Sequence, residues 1–180
     1  MLSGLTPMGF PSADWCDVTR MPQSSHVVTR TKSLSILWTD YFLSSQIPSL
    51  KAYTFETGDP SSSHSRVFNS RSDSSENYTT IDLEPGEYIS SVMGSYKNYE
   101  LEWIQGQIST KSVLVGIEIR SSNPKKMISK GNLSGRLVTL TAPLGWRIVG
   151  FYGFYYEHFF NNRTEPGNII NNMGAIYLPV

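Results

Sequence analysis

The chain has 180 residues, 15 Lys+Arg against 15 Asp+Glu, and only 17% charged residues, where roughly 25% is usual for globular chains. That length fits one domain with a core that needs no staples. The even charge balance argues against a partner such as nucleic acid or an anionic membrane surface. The single cysteine, Cys16, excludes an internal disulfide.

The stretch from Met1 to Pro7 lacks both a basic segment and a continuous apolar one, so no secretory signal is read there. The expectation is a cytoplasmic or non-classically released protein. No apolar run approaches the roughly 20 residues that span a bilayer, so membrane insertion is not expected. A glycine bend at Gly9 is followed by Asp14-Trp15-Cys16-Asp17. Cys16 reads as a small side chain in packing rather than a nucleophile.

Short alternating segments then recur between Gly, Pro, Ser and Asn, and no amphipathic helical period lasts several turns. Strands are predicted at Ser33–Trp38, Leu50–Phe55, Tyr88–Tyr96, Ser112–Arg120, Leu137–Leu140, Ile148–Phe151 and Gly174–Leu178. Their branched and aromatic content suits a pleated sheet. Residues 57–77 are Ser-rich and read as a long surface connection. Residues 154–168 begin with an aromatic run, Phe154 to Phe160, and end in turn-forming residues. So much apolar surface in a connection implies that it covers something.

A loose repeat underlies these strands. Leu34–Ile36 leads to Leu50–Tyr53, Ile81–Leu83 leads through Pro85-Gly86 to Tyr88–Val92, and Leu137–Leu140 leads through Pro143 and Gly145 to Ile148–Phe151. Each reads as a strand, a tight turn and a strand, hence as a hairpin. Three such units could form three sheets around one core.

These residues resemble a known family. Leu83-Glu84-Pro85-Gly86-Glu87-Tyr88-Ile89 with Gly94-Ser95-Tyr96, then Arg147-Ile148-Val149-Gly150-Phe151-Tyr152-Gly153, then Asn172-Met173-Gly174-Ala175-Ile176-Tyr177-Leu178 are similar, in order, to segments of the jacalin-related lectins. The resemblance implies an all-β fold, a β-prism I of three four-stranded Greek-key sheets with pseudo-threefold symmetry. It implies a single lectin domain over residues 1–180, with insertions near 57–77 and 154–168. Carbohydrate binding without metal, cofactor or catalysis is implied as well. Because residues precede the glycine bend, mannose- or glucose-type glycans are the expected ligands, carried on glycoproteins. Family members commonly assemble, so a homo-dimer or homo-tetramer is expected.

In that family the sugar site joins the N-terminal glycine turn to a Gly-Asp-x-Leu-Asp-like loop before the last strand. The matching residues here are Gly9 and Phe10 with Gly167, Asn168, Ile169, Ile170, Asn171 and Asn172. Asn stands where carboxylates are expected, which exchanges strong charge-assisted acceptors for amides that both donate and accept. Tyr155, Tyr156, Phe159 and Phe160 could form an aromatic wall beside the site, or fill core, or meet another subunit. Asn171 and Asn172 could instead cap the strand entry. Asp40 and Gly86, at matching points of the other repeats, read as plain turns.

Two other classes compete. A relative with an altered site would serve as a protein-interaction or targeting module. A glycoside-active enzyme would need two opposed carboxylates. His26, His64 and His158 are far apart in sequence and lack metal-ligand spacing.

Overall fold

The computed structural model describes residues 12–20, 30–40, 47–69, 78–102, 108–160 and 165–180. They form eleven strands: β1 Ser12–Cys16, β2 Thr31–Thr39, β3 Ser49–Thr57, β4 His64–Val67, β5 Thr79–Asp82, β6 Ile89–Glu102, β7 Ile108–Ser121, β8 Met127–Gly131, β9 Arg136–Thr141, β10 Trp146–Phe160 and β11 Glu165–Pro179. One turn of 3-10 helix, Asp17–Arg20, follows β1. All strand pairs are antiparallel.

Three sheets result, with strand orders β1-β10-β11, β4-β3-β2-β5 and β8-β7-β6-β9. The second and third have the expected four strands. Among the described residues the first has three. In each sheet a central hairpin (β2–β3, β6–β7 or β10–β11) carries one further strand beside its first arm, namely β5, β9 or β1. One cluster of buried side chains draws on all three sheets, including Trp15, Tyr53, Phe55, Val92, Ile117, Phe151 and Met173. This is the β-prism.

The threefold relation reaches individual residues. In the first arm of each hairpin one residue is bulged out of register: Lys32, Ser90 and Val149. In the second arm the bulged residues are Lys51, Val115 and Asn171. Bulges sharpen the local twist and re-aim side chains. The Lys32 and Ser90 carbonyls accept the N–H groups of Leu83 and Ala142, at 2.8 and 2.9 Å, where the chain leaves β5 and β9. The Lys51 and Val115 carbonyls accept from Phe68 and Asn132, both at 2.8 Å.

Two repeats differ from expectation. Only the first, β2–β3, is a hairpin. β5 pairs with β2, whereas β6 pairs with β7 and β9, so Leu83–Tyr88 is a corner between sheets. Residues 142–145 form the same corner between β9 and β10. Gly86 and Gly145 hold φ of 90° and 83° there, and Glu87 and Trp146 donate back to the Glu84 and Pro143 carbonyls at 2.9 Å. This is the turn geometry that selects glycine at its third position.

The two presumed insertions also differ. The 57–77 stretch includes an edge strand, β4, paired with β3; residues 70–77 lie outside the described residues. The 154–168 stretch is not a covering loop. It is the far end of the β10–β11 hairpin, with Tyr155 facing Ile170, Tyr156 facing Ile169 and His158 facing Gly167. A second buried cluster of Ile47, Leu101, Val113, Val115 and Ile169 packs this extension against the β6–β7 hairpin.

Candidate functional site

Gly9 and Phe10 lie outside the described residues. Gly167 to Asn172 belong to β11 rather than to a loop. Ile169 is buried in the smaller cluster and Ile170 in the main core, on opposite faces of the strand. Their side chains therefore hold the strand in place, which leaves only the backbone of these two residues to meet a ligand.

The three asparagines are placed differently. The Asn168 N–H donates to Asn69 Oδ1 at 3.0 Å, and Asn69 Nδ2 donates to the Asn168 carbonyl at 3.1 Å. Asn168 Nδ2 donates to the Phe68 carbonyl at 2.7 Å. This reciprocal pairing ties β11 to the chain leaving β4. Asn171, the bulged residue, donates through Nδ2 to the Ser112 carbonyl of β7 at 3.0 Å. Asn172 alone is exposed, with Oδ1 accepting the Phe154 N–H at 3.1 Å.

The expected aromatic wall is divided. Tyr155 turns inward against Trp15 and Phe68, with ring centroids 6.2 and 5.9 Å apart. Tyr156 packs on the smaller cluster, under Lys111 Nζ at 5.3 Å from its ring centre. Phe159 and Phe160 pair through their backbones with Pro166 and Glu165. Among the described residues the exposed rings of this sheet are Tyr152 and Phe154, each 49% exposed, and Trp146, at the start of β10, at 41%. Cys16, expected in packing, is exposed on β1 opposite Tyr152.

A hub of polar groups supports this sheet from inside. Asp17 is fully buried. Its carboxylate accepts the Tyr53 hydroxyl at 2.5 Å and the Phe151 N–H at 3.0 Å. His64 Nε2 lies 3.5 Å away and an Arg66 guanidinium nitrogen 3.8 Å away. Trp15 Nε1 donates to the Tyr53 hydroxyl at 3.0 Å. Burial pushes the Asp17 carboxyl up, but His64, Tyr53 and the Phe151 amide together outweigh it and hold the group below its ordinary value. Burial, and then the Asp17 charge, push the Tyr53 hydroxyl up. The histidine that looks isolated in sequence is thus half of a buried carboxylate–imidazole pair.

Of the turns at matching points, Asp40 is exposed and accepts Trp38 Nε1 at 3.2 Å, and Gly86 forms the corner described above. A cavity of 360 Å³ lies at the corner end of the prism, lined by Tyr88, Ser90, Arg120, Ser122, Lys126 and Met127 among others. None of the residues anticipated for sugar contact lines it.

The model of the jacalin-like lectin domain matches residues 30–161, well over half of the chain. The chain belongs to the jacalin-like lectin family. No curated protein matches it in sequence. Solved jacalin-like neighbours share the fold at low identity. A mannose-specific jacalin-related lectin from Morus nigra, in complex with mannose, is 17% identical, with 96% of this chain and 89% of that one covered and a TM-score of 0.54. A prostate-specific WGA16 glycoprotein lectin is 14% identical, over 92% and 88% of the two chains, with a TM-score of 0.55. A galactose-specific lectin from Artocarpus hirsuta, in complex with methyl-α-D-galactose, is 17% identical over 83% and 92%, with a TM-score of 0.52.

In this jacalin-like chain the exposed Tyr152, Phe154 and Asp14 are not among the site residues read from the sequence. The available signal was Tyr152-x-Phe154, two rings spaced by two just beyond the predicted strand Ile148–Phe151; on a longer strand that spacing places both on one face.

Proposed function

We propose that this protein is a non-catalytic lectin that binds neutral glycans of the mannose type without a metal ion. Its membership of the jacalin-like lectin family carries that reading, and the mannose complex of the Morus nigra neighbour supports the choice of sugar. The proposed contacts are the N-terminal bend at Gly9 and Phe10 together with the β11 stretch from Gly167 to Asn172. Amide side chains and backbone groups there pair with vicinal hydroxyls. Glycoproteins are the proposed partners, and assembly into a dimer or tetramer would add avidity.

One observation favours a second reading. The amides of Asn168 and Asn171 are committed to protein carbonyls, as in a site converted to structural use. In that case the domain is an interaction or targeting module. A glycan array, followed by titration calorimetry with and without chelator, decides between them. A lectin gives a mannose-type signal that chelator does not alter; a blank array at high protein concentration overturns the lectin reading.

A further inference from the structure

We propose that the glycan-binding surface includes the outer face of the first sheet, where the exposed Tyr152 and Phe154 form a stacking platform flanked by Asp14 and Asn172. This inference rests on the lectin reading and names a surface that the anticipated β11 stretch touches only through Asn172.

Three strands define the face. Asp14, Phe154 and Asn172 are direct cross-strand partners, as are Cys16, Tyr152 and Gly174. Partners in register share one side of a sheet. The alternate row of Trp15, Gly153 and Met173 points into the core. Asp14, Tyr152, Phe154 and Asn172 are all exposed. A Cβ added at Gly174 would lie 2.3 Å from Cζ of Tyr152, so the tyrosine ring lies flat across the strand. Flat, accessible rings suit the C–H faces of pyranoses. The two rings sit two residues apart on one strand, about 7 Å, a spacing that suits neighbouring sugar units.

The flanking groups provide the hydroxyl contacts. Asp14 is an acceptor. The Phe154 N–H fixes the Asn172 carboxamide through Oδ1. Asn172 Nδ2 donates to no group among the described residues, so it remains a donor beside the ring.

The pseudo-threefold relation shows that this is not a general property of the fold. Positions matching Tyr152 and Phe154 hold Ser35 and Leu37 in the second sheet and Met93 and Ser95 in the third. Leu37 and Ser95 are buried, whereas Phe154 is half exposed. The face carries no Lys or Arg among the six residues named, which disfavours an anionic ligand.

The test replaces both rings with residues that the same fold already accommodates at matching positions, Tyr152→Ser and Phe154→Ser. Affinity for the best array glycan is measured by calorimetry, folding by thermal melting and assembly by sedimentation. The expected result is at least a tenfold loss of affinity for each variant and more for the double variant, with melting and sedimentation unchanged. If the wild type binds and the double variant binds equally well, the platform is overturned while the lectin reading stands. If affinity per site is unchanged but the variants sediment as a smaller species, the face is a subunit contact and the proposal fails. A wild type that binds no glycan overturns both readings. Should the double variant melt early, Asp14→Ala serves instead; it lies at the edge, and unchanged affinity there overturns the platform.

Discussion

The first and third sheets have the same hairpin geometry but opposite outer faces. On the third sheet the connection after β8 lies across the strands. Asn132 covers Gly116 so closely that a Cβ there would meet the Asn132 carbonyl oxygen at 2.2 Å, and the Gly135 N–H donates to Ser95 Oγ at 2.9 Å. On the first sheet the matching positions, Asn172 and Phe154, are exposed, and no described residue lies across them in this way. That sheet is braced from within, by Asp17 and the groups around it. The difference shows how one repeat can leave exposed the outer positions that another buries. The open sheet relies on a buried charge; the closed one relies on backbone packed upon backbone.

Four substitutions probe this contrast. Asp17→Asn should be the most damaging, destabilising the protein by about 3–5 kcal/mol, the range for breaking a buried ion pair, as read from urea unfolding. It should also remove part of the acid dependence. Asp17 titrates below its ordinary 3.8 in the folded chain, so the folded state binds fewer protons. Its contribution is complete above the unfolded value and is lost as pH falls through the depressed folded one. An unfolding-versus-pH profile of the variant identical in shape to that of the wild type would refute this assignment. Gly116→Ala should cost about 3 kcal/mol, at the upper end for overpacking, because the obstacle is backbone. Ser95→Ala should cost about 1 kcal/mol, leaving the Gly135 amide without its acceptor. Gly174→Ala should be the mildest for stability, about 0.5 kcal/mol, because the obstructing atoms lie at the far end of an exposed tyrosine that can swing aside. It should nevertheless weaken glycan binding, since the ring no longer lies flat. Calorimetry beside a melting curve separates the two effects.

Much of this architecture was legible in the residues. Short apolar, branched and aromatic segments exposed β2, β3, β7 and β9, although Ser49–Tyr53 of β3 and Val113–Ile117 of β7 prove to be buried on both faces. The glycines of both corners announced their turns, though not whether the turn closes a hairpin or changes sheets; that depends on which strands pair, and local sequence does not encode pairing. The 154–168 stretch was misread for a related reason. The adjacent rings Tyr155 and Tyr156 break the period of two, because one packs on the main core and the other on the smaller cluster. The adjacent pair Ile169-Ile170 carried the same message, since each buries itself in a different cluster. The bulge at Asn171 was invisible, yet it sets which asparagine meets solvent. For this reason the adjacent pair Asn171 and Asn172 divides into one structural tie and one exposed amide.

The first sheet joins β1, near the beginning of the sequence, to β10 and β11, near its end, while the other two sheets are made from the residues between. During synthesis, then, the second and third sheets can form their ladders while the first still lacks two of its strands. Until β10 emerges, β1 lacks its ladder partner among the described residues and Asp17 lacks the Phe151 amide. Closure of the prism, and with it the surface proposed to hold sugar, is a late event that ribosome-bound chains truncated before Trp146 should not reach.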